Sequence, residues 1–151
     1  MTLMDVKLGT DTLIALAAIA WADGTMNPKE AAGIRAAGQK LGLGDEALRR
    51  VQDVIGRKIG LDEVETIRMD RLTRLFTYAA ATWIAELDGT LSDRESAALA
   101  LLGDRLGLSN LARERARQAA LSNAGLATSD AYDVVKLYST LSASLSKISD
   151  E

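Results

Sequence analysis

Residues Leu13–Ala22 (LIALAAIAWA) form a run of ten apolar positions without polar interruption. A helix that is apolar on nearly all sides has no face to give to water, so this run predicts a central buried helix, A1, near Asp11–Ala22. It stops at Asp23-Gly24, where glycine can take the left-handed conformation that closes a helix. Beyond it, Asn27-Pro28-Lys29-Glu30 offers an N-cap, a proline at the first helical position and a glutamate at the third. These residues start helix B1, which Leu41-Gly42 ends. A third helix, C1, is expected over Asp45–Ile59.

The same order then returns. An apolar run recurs at Tyr78–Leu87 (YAAATWIAEL), inside a long helix A2 expected from about Arg68 to Leu87. B2 begins at Ser92-Asp93-Arg94-Glu95 and ends at Leu106-Gly107; C2 is expected over Asn110–Ala124. A short helix is expected at Asp62–Ile67, and Ser129–Ile148 supplies a third A-like helix after C2. Residues 23–43 and 88–108 align at a constant offset of 65 with nine of 21 positions identical. The pattern predicts an all-α fold: one compact domain over residues 1–151, a bundle of about seven helices in the order A-B-C-A-B-C-A. It would be built by internal duplication of roughly residues 10–60 and 69–124. A helix pair cannot bury both of its faces alone, so the copies should pack with approximate twofold symmetry around the A helices. Ile34/Leu99, Gly38/Gly103 and Leu41/Leu106 fall on one face of B1 and B2. Because a glycine inside a helix costs about 1 kcal/mol relative to alanine, its recurrence points to close helix contact there.

Composition agrees with a globular helical chain: 48% hydrophobic residues, a single proline and a net charge of −3. That balance gives no reason to expect nucleic acid as a partner. With no cysteine and no histidine, thiolate and imidazole chemistry are excluded, which argues against zinc sites and most hydrolase mechanisms. Carboxylate, hydroxyl, lysine and arginine groups remain, a set suited to hard cations held by oxygen. No nucleophile–base arrangement is visible, so no enzymatic activity is expected. The Leu13–Ala22 run has the look of a signal-peptide core, but it recurs mid-chain and Asp5 and Asp11 stand beside it. Ten apolar residues also fall short of the about 20 that span a bilayer. The protein is therefore expected to be cytoplasmic, without direct membrane insertion.

Candidate chemistry lies at the A–B junctions. Asp23, Gly24, Met26 and Glu30 match the second half of an EF-hand loop, and Asp88, Gly89, Leu91 and Glu95 repeat the match. The first half fails: Ile19 and Trp21, then Ile84 and Glu86, stand where carboxylates belong. Two readings follow from the residues. Four carboxylates, Asp23, Glu30, Asp88 and Glu95, could hold a divalent cation such as calcium, magnesium or manganese. Equally, Asp-Gly ends one helix while Asn27 or Ser92 caps the next, and Glu30 or Glu95 closes a capping box without any metal. Arg68, Arg71 and Arg74 on A2, with Arg113 and Arg117 on C2, read as a solvated basic face or as a surface for phosphate or an acidic partner. Trp21 and Trp83 read as core residues.

At these junctions the sequence resembles the TerB-like tellurite-resistance family, whose pattern is an Ala-rich apolar helix, then Ala-Asp-Gly-x-apolar-x-x-x-Glu and a helix ending in Leu-Gly. Here it stands as Ala22-Asp23-Gly24-Thr25-Met26-Asn27-Pro28-Lys29-Glu30 and as Leu87-Asp88-Gly89-Thr90-Leu91-Ser92-Asp93-Arg94-Glu95, and the likeness covers roughly residues 10–145. The resemblance implies a non-catalytic bacterial module linked to tellurite resistance and stress response. It implies divalent metal held by acidic residues, no organic cofactor, and a protein partner within a membrane-associated assembly. A related domain heads some membrane-anchored DnaJ-type co-chaperones, which implies the metal-free adaptor alternative. The second copy departs from the pattern at Leu87, where alanine is usual. Reduction of an oxyanion would need thiols, a flavin or a redox metal, for none of which the sequence has a motif.

Overall fold

The computed structural model describes residues 10–24, 28–40, 44–60, 64, 69, 71–86 and 93–121. Among them the chain is all-α, with six helices and no strand: α1 (Thr10–Ala20), α2 (Pro28–Lys40), α3 (Asp45–Gly56), α4 (Arg71–Glu86), α5 (Asp93–Leu106) and α6 (Asn110–Leu121). A 3-10 turn, Trp21–Asp23, follows α1. The expected helix at Ser129–Ile148 lies outside the described residues.

α1 is the centre of the bundle. All nine residues from Thr12 to Ala20 are buried, and α1 packs against α2, α3, α4 and α5. Leu13, Ile14, Leu16 and Ile19 are fully enclosed. Each such side chain contributes about 1.5–3 kcal/mol by leaving water, so this one helix carries a large share of the driving force for folding. The small alanines between them let neighbours approach from every side. α4 lies against α1 and buries Leu75, Phe76 and Trp83, together with Ala79, Ala80 and Ala81. Two threonines join the pair. Thr77 donates its hydroxyl proton to the carbonyl of Thr73, one turn back, at 2.7 Å. Its oxygen then accepts from the Thr12 hydroxyl at 3.0 Å, which satisfies both buried groups with one chain of bonds.

α3 covers α1 and α2 with an amphipathic stripe, Val51, Val54 and Ile55 inward and charged residues outward. It is shorter than the expected Asp45–Ile59. Arg57 adopts an extended backbone, φ −140° and ψ 140°, while its N–H still bonds the Asp53 carbonyl. Straightening the chain here lets Ile59 enter the core from outside the helix. Of the short helix expected at Asp62–Ile67 only Val64 is described, and it is not helical. Val64 is buried, and the Arg105 guanidinium donates to its carbonyl at 2.8 Å, taking the acceptor that a helix would have used.

The α5–α6 connection is a Schellman turn. The Gly107 N–H bonds the Asp104 carbonyl and the Leu108 N–H bonds the Gly103 carbonyl, each at 3.1 Å, with Gly107 at φ +70°. Leu108 is buried, supplying the apolar contact that accompanies this motif. Ser109 then caps α6, its hydroxyl accepting from the Ala112 N–H at 3.1 Å.

Candidate functional site

The first Asp-Gly junction is built by the end of α1. The helix tightens into the 3-10 turn Trp21–Asp23, and Gly24, at φ +94°, returns its N–H to the Trp21 carbonyl at 2.7 Å. A positive φ is what excludes other residues at this turn. Trp21 is half-buried and donates from its indole nitrogen to the Val54 carbonyl at 2.8 Å, which fixes the turn on α3. Trp83, in contrast, is a core residue. Pro28 occupies the first position of α2 as expected, and Glu30 follows in the first turn. The side chains of Asp23 and Glu30, and Asp88 as a whole, lie outside the described residues.

Glu95 is the one acidic candidate whose surroundings are described. It stands in the first turn of α5 and is only 6% exposed, the one charged residue among the described buried side chains. A carboxylate taken out of water needs compensating partners. The N-terminal end of a helix supplies part of that compensation through its unpaired amides and positive dipole end. α5 also packs directly against the Trp21–Asp23 turn. The fold therefore brings the helix of Glu95 and the turn of Asp23 together, although 72 residues separate them in the chain. Among the described residues, no group of three or more acidic side chains is close enough to hold a metal. No family model, curated protein or solved structure matches this chain.

The arginines are placed differently from a solvated basic face. Arg74 donates to the carbonyls of Met69, at 3.0 Å, and Leu106, at 3.1 Å. Arg113 donates to the Leu108 carbonyl at 2.9 Å and to Asp104 at 2.8 Å. Both guanidinium groups thus grip the Leu106-Gly107-Leu108 turn at the negative end of the α5 dipole. A Cβ added to Gly103 would stand 2.6–2.8 Å from the Arg113 side chain. The contact that calls for glycine at this point is therefore an arginine lying across α5 rather than a second helix backbone. Sequence reasoning found the glycine but not the arginine, because the two are linked only through the turn between them. Arg68 lies outside the described residues. Arg71 and Arg74 line an open cleft of about 320 Å³ with Met69, Leu106, Gly107 and Leu108. Arg117 is half-buried and lies 4.0 Å from Glu114.

Tyr78 on α4 sits between these groups and the core. Burial raises the pKa of its phenol, and the positive charges of Arg113 and Arg117 partly oppose the rise. The arginine pair of α6 therefore acts on a half-buried side chain of α4, in keeping with the close packing of those two helices.

Proposed function

We propose that the chain is a non-catalytic, TerB-like helical module that binds a divalent cation at its Asp-Gly helix junctions. Its donors would be Asp23, Glu30, Asp88 and Glu95. The observation that carries this reading is the burial of Glu95 on the helix that packs against the Asp23 turn. A carboxylate recruited only to cap a helix works well at the surface; one enclosed on a helix that packs against the first Asp-Gly turn is suited to take part in holding a hard cation. The bound ion would supply charge neutralisation and cross-link the two junctions, and the oxygen-only donor set suits calcium, magnesium or manganese.

The reading extends to the whole chain as a duplicated unit of seven helices. Support comes from the element bounds: α3 and α6 both begin and end 65 residues apart, and α2 and α5 begin 65 apart. It also comes from the Thr12–Thr77 pair, since a residue meets its own counterpart only at a twofold axis. The tellurite and stress role, the cytoplasmic location and a protein partner at a membrane-associated assembly rest on the sequence resemblance alone.

Thermal melts with millimolar calcium, magnesium or manganese test the metal. At a concentration 100-fold above Kd, a ligand of the native state adds about 2.7 kcal/mol. The expected result is a stabilising shift that disappears in the Asp23→Ala, Asp88→Ala double variant and in Glu95→Gln. A flat response to all three ions removes the reading. The metal-free adaptor alternative is favoured by a different feature, the exposed side chains of Leu101 and Leu111.

A further inference from the structure

Lys58 stands over the first Asp-Gly turn. Its ammonium nitrogen lies 4.0 Å from the point that a Cβ on Gly24 would occupy. The backbone that carries it is fixed on both sides: α3 ends at Gly56, Arg57 is extended, and Ile59 is buried in the core. The bond from the Trp21 indole to the Val54 carbonyl keeps that end of α3 against the turn. The turn in its own right favours a cation. A helix carries partial negative charge at its C-terminal end, and neither α1 nor the Trp21–Asp23 turn has a basic residue in its last turn to meet it. Asp23, next to Gly24, adds a carboxylate. Lys58 is exposed, and a compact charge on a flexible four-carbon stem can leave such a position as readily as it takes it.

We propose that Lys58 is a tethered cation that occupies the first Asp-Gly junction in the metal-free protein and is displaced when a divalent ion binds there. The proposal rests on the reading of Asp23, Glu30, Asp88 and Glu95 as the donors of that ion. Binding is then an exchange of one cation for another. An ammonium left within several ångströms of a doubly charged ion would repel it, an effect of about fivefold in affinity at physiological ionic strength. The tethered charge therefore sets a threshold, since the ion must outcompete a group that is always present. It also screens the carboxylates from one another while the site is empty. Once displaced, the Lys58 amine stands in water beside the end of α3, so that occupancy of the junction changes the charge pattern of the adjoining surface.

Thermal melts over concentration series of calcium, magnesium and manganese, each ion alone, test the exchange in three proteins. Lys58→Met keeps the length of the stem and removes the charge; Lys58→Arg keeps the charge. Both positions are on the surface, so the core is untouched. Lys58→Met should reach half of its stabilisation at an ion concentration about fivefold lower than the native chain, while Lys58→Arg should follow the native curve. The amine itself gives a second readout. Acetylation of Lys58 in the native chain, followed by peptide mass spectrometry, should quicken when the stabilising ion is added. Equal half-saturation in the native chain and Lys58→Met overturns the exchange while leaving the metal reading in place, and so does acetylation of Lys58 that is indifferent to the ion. If none of the three ions shifts any of the three proteins, the metal reading fails and the exchange fails with it.

Discussion

The Thr12 and Thr77 hydroxyls meet at 3.0 Å in the centre of the bundle, and the 65 residues between them are the same spacing that separates the two Asp-Gly-Thr segments. Each is almost fully buried, and Thr77 passes its own proton to the Thr73 carbonyl. The two groups therefore stand or fall together. Thr77→Val should cost about 1–3 kcal/mol, because the Thr12 hydroxyl loses its acceptor inside the core, whereas the Thr12→Val, Thr77→Val double variant should recover most of the loss. Urea titrations of the four proteins in a double-mutant cycle measure the coupling. Independent, additive losses would show that the hydroxyls do not depend on one another.

Gly103 and Arg113 make a prediction whose sign changes with background. Alanine at position 103 gains about 1 kcal/mol of helix propensity but pushes the guanidinium away from the Leu108 carbonyl, a charge-assisted bond worth about 1.5–3 kcal/mol. Gly103→Ala should be destabilising in the native chain. The same substitution in an Arg113→Ala background should be neutral or stabilising. Thermal midpoints of the two pairs of proteins decide it.

Trp21 ties the first Asp-Gly turn to α3 through one bond to the Val54 carbonyl. Trp21→Phe keeps most of the apolar contact and removes the donor, so stability should fall by about 1 kcal/mol. A turn held by that bond should also lose amide protection at Gly24 in hydrogen exchange by more than the loss seen across α4.

Tyr78 gives a pH dependence. Its phenol has a raised pKa in the folded protein because burial penalises the phenolate. As pH climbs through the ordinary tyrosine value near 10, the unfolded chain releases this proton first. The unfolded state then binds fewer protons than the folded one, so stability falls as pH rises. The contribution is complete below pH about 10 and is lost above it. Tyr78→Phe should flatten that alkaline loss in denaturant titrations.

The all-α class, the burial of α1 and the starts of α2 and α5 were legible in the sequence because each rests on local rules: an unbroken apolar run, a proline at a first helical position, an Asp-Gly stop. C1 was read too long because Ile59 is apolar at a helix-compatible spacing, yet it reaches the core from extended chain beyond Gly56. The arginines were read as a surface because charge alone was counted. Their carbonyl acceptors at Met69, Leu106 and Leu108 exist only once α4, α5 and α6 are assembled, and no spacing rule encodes an acceptor 32 residues away. Of the candidate site, the four carboxylates were found by motif. The burial of Glu95 was not, because it depends on what packs against α5, and one such element, the Trp21–Asp23 turn, comes from the other end of the described chain.

Arg74 and Arg113 grip the turn after α5, but the positions 65 residues earlier hold Gly9 and Leu48, which carry no guanidinium. The two segments are thus alike in their glycines and leucines but not in these arginines. A turn clamped from α4 and from α6 at once couples three helices, so the loss of either guanidinium should be felt on both sides of it.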